Sequence, residues 1–145
     1  MASVSTYLNF PRNTEEAFNF YKSVFGGEFY GQGIMRFGAM PPMEGAPALA
    51  EEDKNLVMHM GLEITGGHLL MGSDAPESMC FTVNKGNNVH IMLSPDTKEE
   101  TKRLFDALSE GGKIETPLAD MFWGDYYGSC VDKFGVQWMF NYSNK

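Results

Sequence analysis

Apolar residues recur along this chain with two periods, every second residue in several short runs and every three to four residues in two longer ones. The first short run, Ser3 to Phe10, sets Thr6, Leu8 and Phe10 against Ser5, Tyr7 and Asn9, which predicts a strand that Pro11 ends. Asn13 or Thr14 can then cap a helix with Glu15 and Glu16 in its first turn, where the positive end of the dipole favours acids. Its apolar stripe is Ala17, Phe18, Phe20, Tyr21, Val24 and Phe25, and Gly26-Gly27 stops it. Glu28 to Phe37 is a second strand candidate, interrupted by Gly31 and Gly33. Gly38 to Asn55, rich in Pro, Gly, Met and acid, reads as a long loop forming a mobile flap. Leu56 to Thr65 alternates Met58, Met60, Leu62 and Ile64 against His59, Gly61 and Glu63; Gly66-Gly67 makes a hairpin turn, and His68 to Ser73 returns.

A polar stretch from Asp74 to Asn88 follows, and then the same order of elements begins again. Val89 to Ser94 sets Val89, Ile91 and Leu93 against His90, Met92 and Ser94. Pro95-Asp96-Thr97 starts a helix with Glu99 and Glu100 in its first turn, a stripe at Leu104, Phe105 and Leu108, and Gly111-Gly112 at its end. Lys113 to Leu118 reads as a strand. Met121 to Tyr142 reads as two aromatic-rich strands joined by the turn Asp132-Lys133-Phe134-Gly135. In the last of them Val136, Trp138, Phe140 and Tyr142 point one way and Gln137, Met139 and Asn141 the other.

The recurrence is residue by residue in places. The offset that lays Gly26-Gly27 on Gly111-Gly112 also lays Phe20 on Phe105, Leu8 on Leu93 and Ser5 on His90, and a second offset lays Gly67 to Met71 on Gly135 to Met139. The chain therefore reads as one α+β domain, residues 1–145, built from two βαβββ modules at about 1–75 and 88–145 with a linker at 76–87, the second module lacking the flap. Each amphipathic helix covers one sheet face and leaves the other open, so two modules are expected to form an open, cup-shaped mixed sheet with the helices on its outer face. Strand parity assigns Leu8, Phe10, Met60, Leu62, Leu70, Ile91, Leu93, Trp138 and Phe140 to the helix side. It assigns Ser5, Tyr7, Asn9, His59, Glu63, Met71, Ser73, His90, Met92, Gln137, Met139 and Asn141 to the open side.

Composition narrows the function classes. A net charge of -8 with few, scattered Lys and Arg excludes a phosphate-backbone binder, so no nucleic-acid partner is expected. No apolar run approaches a membrane span, and neither a membrane partner nor an export signal is expected. Cys80 and Cys130, without a CxxC, read as reduced thiols of a cytoplasmic protein. The glycines at Gly31 and Gly33 lack the third of a dinucleotide fingerprint and lead into a strand.

Several stretches together resemble the vicinal oxygen chelate superfamily of glyoxalase I, bleomycin-resistance proteins and extradiol dioxygenases, and in particular its PhnB-like branch, sometimes labelled by similarity to a demethylubiquinone methyltransferase domain. They are Tyr7 to Phe10, Ala17 to Gly27, Val57-Met58-His59, Ser73-Asp74, Leu104 to Gly112, Phe122-Trp123-Gly124-Asp125 and Asp132 to Met139, spread over nearly the whole chain. The resemblance implies paired βαβββ modules, commonly in homodimers. It also implies metal ligands at the first and last strand of each module, which here fall at Ser5, Met71, His90 and Met139. Only His90 is a good ligand for a borderline dication, since thioether and hydroxyl groups bind it poorly. No cofactor is therefore expected. Methyl transfer from S-adenosylmethionine is not expected either, because the doubly wound sheet with a glycine-rich first turn is missing from the pattern.

The expected function is that of a glyoxalase/bleomycin-resistance-like, PhnB-like protein binding an unidentified small molecule in a cavity between its modules, without a glyoxalase-type metal. The expected pocket comprises Tyr7, Asn9, Arg36, His59, Glu63, Met71, His90, Met92, Trp123, Tyr127, Gln137 and Met139, with His59 and His90 as candidate catalytic groups. Trp123, Tyr126 and Tyr127, with Tyr7, would supply an aromatic wall, the methionines a soft lining, and Arg36 a partner for an anionic ligand. His59 and Glu63, four apart on one strand, stand about 13 Å from each other and do not pair directly. Two alternatives stay open. One is drug sequestration of the bleomycin-resistance type, with the acidic surface attracting a cationic compound. The other is a lyase, isomerase or dioxygenase using Zn, Ni, Fe or Mn at His59 and His90.

Overall fold

Thr14–Phe25 and Lys98–Ser109 form the helices α1 and α2 of the computed structural model, which describes residues 2–39 and 49–144. The chain folds as two compact units, Met1–Asn84 and Lys85–Lys145, whose boundary lies in the polar stretch after the first module. The first unit holds β1 (Thr6–Phe10), α1, β2 (Met35–Arg36), β3 (Val57–Ile64) and β4 (His68–Asp74). The second holds β5 (Ile91–Leu93), α2, β6 (Lys113–Asp120), β7 (Asp125–Val131) and β8 (Gln137–Ser143).

Each unit carries a four-stranded mixed sheet, in the order β1-β4-β3-β2 and β5-β8-β7-β6. The register repeats as well: Leu8 pairs with Gly72 on the parallel neighbour, and its repeat partner Leu93 pairs with Phe140. Both sequence offsets are thus satisfied by one topology, an α+β fold of two βαβββ modules.

Each helix buries its stripe against its own sheet, α1 on β3 and β4, α2 on β6, β7 and β8. Ala17, Phe18, Tyr21 and Val24 are buried in the first unit beside Phe10, Met60, Leu62 and Leu70, as parity requires. Leu104, Phe105 and Leu108 cover Leu93, Trp138 and Phe140 in the second, with Phe105 edge-on to Phe140 at 5.2 Å. Burying one such side chain is worth roughly 1.5–3 kcal/mol, so these two stripes dominate the stability of their units.

The helix starts differ between the repeats. Thr97 caps α2 locally, its hydroxyl accepting from Glu100 N at 3.0 Å. Asn13 occupies the cap position of α1 but makes no side-chain cap bond; instead the Asp74 carboxylate accepts from Thr14 N at 3.0 Å and Thr14 Oγ1 at 2.7 Å. Its other oxygen accepts from Val57 N at 2.8 Å, so one buried side chain joins β4, α1 and β3.

Glu28 to Phe37 contributes less strand than its sequence suggests. Only Met35–Arg36 is a strand, with an isolated bridge between Phe29 and Leu62, because Gly31 and Gly33 take positive φ of 66° and 87°. The turn between β3 and β4 is one residue longer than the expected Gly66-Gly67 pair, because Ile64 pairs with His68 and leaves Thr65, Gly66 and Gly67 between the strands; both glycines take positive φ, 73° and 79°. Of the expected flap, residues 40–48 lie outside the described ones. Its end is fastened: Arg12 Nη1 donates to buried Asp53 at 2.8 Å and Arg12 Nη2 to Glu77 at 2.9 Å, while Ser78 donates to the other Asp53 oxygen. Ser78 and then Arg12 hold the Asp53 carboxyl below its ordinary range.

Neither thiol is in a disulfide, and their surroundings are opposite. Cys80 is exposed, whereas Cys130 on β7 is fully buried, and burial, with Asp132 and Glu115 nearby, pushes its pKa up to about 12. A thiol that far above its ordinary value stays protonated and shielded near neutrality. Native protein at pH 8 is therefore expected to titrate one thiol with a disulfide reagent and the second only in denaturant; two fast thiols in native protein would contradict this burial.

Candidate functional site

The face of each sheet opposite its helix is where the polar half of the strand pattern goes. In the first unit Tyr7, paired with Met71, extends its hydroxyl to 3.4 Å from His59 Nδ1, and the two rings lie 5.7 Å apart. Met35 pairs with His59, and Asn9 pairs with Ser73. Glu63 is exposed farther along β3, opposite Leu69, four residues from His59 and about 13 Å along the strand. Ser5 is exposed just before β1.

Arg36 does not belong with this group. The guanidinium donates to both Glu15 oxygens on α1, at 2.9 and 3.1 Å, and to the Asn55 carbonyl at 2.7 Å. Glu15 keeps the group charged by raising its pKa above the ordinary value. Its two terminal nitrogens are committed to Glu15 on α1 and to the Asn55 carbonyl, so the structure gives it a partner within the chain where an anionic ligand was expected.

In the second unit the sheet brings together residues that the pattern left apart. His90 stands immediately before β5, and its Nε2 lies 2.9 Å from Glu115 Oε1 on β6, the opposite edge of the sheet. Met92 pairs with Met139, and Met139 also pairs with Ser129. Gln137, expected in the pocket, is instead buried and donates from Nε2 to the Val89 carbonyl at 2.7 Å, which fixes the backbone entering His90. Trp123 lies 6.4 Å from Tyr127 and Phe122 packs edge-on against Trp123 at 5.0 Å.

Tyr126 leaves the expected aromatic wall. It is adjacent in sequence to Tyr127 and so emerges on the opposite face, where Lys98 of α2 sits 4.6 Å from its ring centroid. Tyr7 belongs to the first unit and meets His59 there.

Glu115 was missed by the sequence pattern, and for a physical reason. The β6–β7 pairing shifts register between Ile114 and Thr116 and again between Thr116 and Ala119, so alternation counted along β6 does not assign a face. Pro117 within the same strand is a signal of this irregularity, since proline is tolerated on edge strands and at bulges. The third histidine, His68, was also unassigned; its Nε2 lies 2.8 Å from Thr6 Oγ1 on the neighbouring strand.

The donor set does not fit a glyoxalase-type ion. The family-equivalent positions offer a hydroxyl at Ser5, thioethers at Met71 and Met139, and a single imidazole at His90, so only one of the four is a good ligand for a borderline dication. Among the described residues no three His, Cys, Asp or Glu side chains gather closely enough to hold a metal. Among them, too, no helix is long and apolar enough to cross a membrane.

Comparison with known proteins agrees with this architecture. Residues 2–140 match the family model described as 3-demethylubiquinone-9 3-methyltransferase. Protein YjdN of Escherichia coli K12 is 30% identical over 143 residues, covering 95% of this chain and 93% of YjdN. The crystal structure of PA1353 from Pseudomonas aeruginosa superposes with a TM-score of 0.82 at 34% identity, covering 99% of this chain and 98% of that one. A Bacillus cereus PhnB protein, a putative 3-demethylubiquinone-9 3-methyltransferase by its description, gives 0.72 at 26% identity, with 98% and 100% covered. A glyoxalase/bleomycin resistance protein/dioxygenase family enzyme from Burkholderia phytofirmans shares the fold at a TM-score of 0.58 and 19% identity, with 95% and 97% covered. With the repeated βαβββ register, and a family model spanning almost its whole length, the chain belongs to the PhnB-like, 3-demethylubiquinone-9 3-methyltransferase-like family.

Proposed function

We propose that this protein binds a small organic molecule on the open faces of its sheets and does so without a glyoxalase-type metal. The observation that carries this reading is the chemistry of those faces. Tyr7, Met35, Met92 and Trp123 are all exposed large side chains, set among the polar pairs Tyr7–His59 and His90–Glu115. Apolar and soft groups beside a few polar ones are what a ligand surface requires.

Methyl transfer is not part of the proposal, although the family description carries that word. Both sheets are mixed and antiparallel in most of their pairings, and nothing in either resembles the parallel, doubly wound sheet that presents a nucleotide at a glycine-rich first turn.

Metal content tests the second half of the reading directly. Protein incubated with Ni or Zn and then dialysed is expected to retain well under one ion per chain. One tightly held ion per chain would overturn it. For the first half, a thermal-shift screen of neutral, cationic and anionic small molecules is expected to give hits, since any ligand selective for the folded state raises the melting point.

A further inference from the structure

We propose that His90 is the hydrogen-bond acceptor of a ligand site on the open face of the second unit, and that its ligand is a flat, largely apolar molecule carrying an O–H or N–H donor. The inference rests on the binding reading above and specifies its chemistry. β5 and β6 are the two edges of a four-stranded sheet, with β8 and β7 between them. Neighbouring strands stand about 4.8 Å apart, so the edges are roughly 14 Å from each other along a flat sheet. His90 and Glu115 nonetheless meet at 2.9 Å, so both side chains reach inward over the same face. That face is the open one, because His90 shares the parity of exposed Met92 and opposes that of buried Leu93.

The contact fixes a tautomer. A carboxylate can only accept, so the His90 Nε2 must carry the proton, and in the neutral ring Nδ1 then presents a lone pair. Among the described residues no donor meets that lone pair, and the His90 side chain keeps 18% of its surface. Gln137 holds the preceding carbonyl, so the ring is positioned from its backbone as well as from its far nitrogen.

The surroundings define the rest of the ligand. Met92 is two residues beyond His90 and 53% exposed, and it pairs with Met139, giving a thioether surface that accepts aromatic rings. Two residues beyond Met139, Asn141 pairs with Tyr127, which carries Trp123 beside it. From the level of His90 to that of Tyr127 is about 13 Å along the strands, room for a bicyclic body with a donor at one end. The Glu115 carboxylate disfavours an anion there, so the donor belongs to a neutral or cationic molecule.

The probe pair 2-naphthol and its methyl ether separates the terms, because methylation removes the donor and keeps the ring. NMR titration at millimolar concentration is expected to show 2-naphthol shifting the Met92 and Met139 methyl signals and the His90 ring nitrogens, with the ether binding about tenfold more weakly. His90→Leu is expected to erase the preference while leaving ether binding in place. Glu115→Ala, which frees the tautomer, is expected to reduce the preference with the backbone spectrum otherwise intact. Equal affinity of the two compounds for the unaltered protein would overturn His90 as acceptor while keeping the binding reading. Absence of any shift at Met92, Met139 or Trp123 with either compound would overturn both.

Discussion

Gly112→Ala is expected to cost the second unit about 3 kcal/mol or more, enough to unfold a marginal domain. A methyl group built on Gly112 would sit 2.1 Å from the Val131 carbonyl oxygen and 2.8 and 2.9 Å from the carbonyl carbon and Cα of Asp132. All three obstacles are backbone, so no rotamer change relieves them. Relief requires parting the start of β6 from the end of β7, where Lys113 pairs with Val131. The displacement would reach Asp132, whose carboxylate accepts from Phe134 N, Val136 N and Trp138 Nε1 at 2.8, 3.1 and 2.8 Å. Trp138 is fully buried at that point, and both tryptophans of the chain lie in this unit, so tryptophan fluorescence follows its unfolding selectively. The neighbouring Gly111→Ala is the control. Gly111 has φ of 76° and meets only the Lys133 side chain at 3.4 Å, so its replacement should cost about 1 kcal/mol. Equal urea midpoints for the two variants would show that the backbones do not approach so closely.

The same glycine pair shows what can and cannot be read from sequence. Gly26-Gly27 and Gly111-Gly112 were legible as helix stops, and together with Leu8 and Leu93 they exposed the repeat, because one register satisfies both offsets. Parity then sorted much of the core from the open face where a strand was regular, as with Leu62 against Glu63 or Trp138 against Met139, though Gln137 at the start of β8 is buried against its assignment. It failed where the backbone departs from a period of two. The register shifts in β6 concealed Glu115, and the positive-φ glycines reduced the expected second strand to Met35–Arg36. It also had no access to partners supplied from a distance in the chain. Arg36 resembled a partner for an anion, and the fold pairs it with Glu15; His90 stood alone in the pattern, and Glu115 reaches it from the opposite edge of the sheet.

Asp74→Ala is the corresponding test for the first unit, with an expected loss of about 3 kcal/mol. The carboxylate is only 4% exposed and serves three donors, Thr14 N, Thr14 Oγ1 and Val57 N. Its removal strands two backbone N–H groups and a hydroxyl in the interior, each worth roughly 1–3 kcal/mol, less whatever an entering water restores. It also removes a negative charge from the start of α1, where the helix dipole favours one. Asp74→Asn should fall between the alanine variant and the unaltered protein, because one oxygen still accepts while the amide nitrogen confronts a donor. In the second unit the same job is divided differently: Thr97 caps α2 from its own chain segment, and Thr97→Ala is expected to cost only about 1 kcal/mol. Tryptophan fluorescence does not report on the first unit, so amide exchange of Thr14 and Val57 is the measurement. Both should lose protection together in Asp74→Ala, since one side chain holds both; loss at Thr14 alone would reduce Asp74 to an ordinary helix cap.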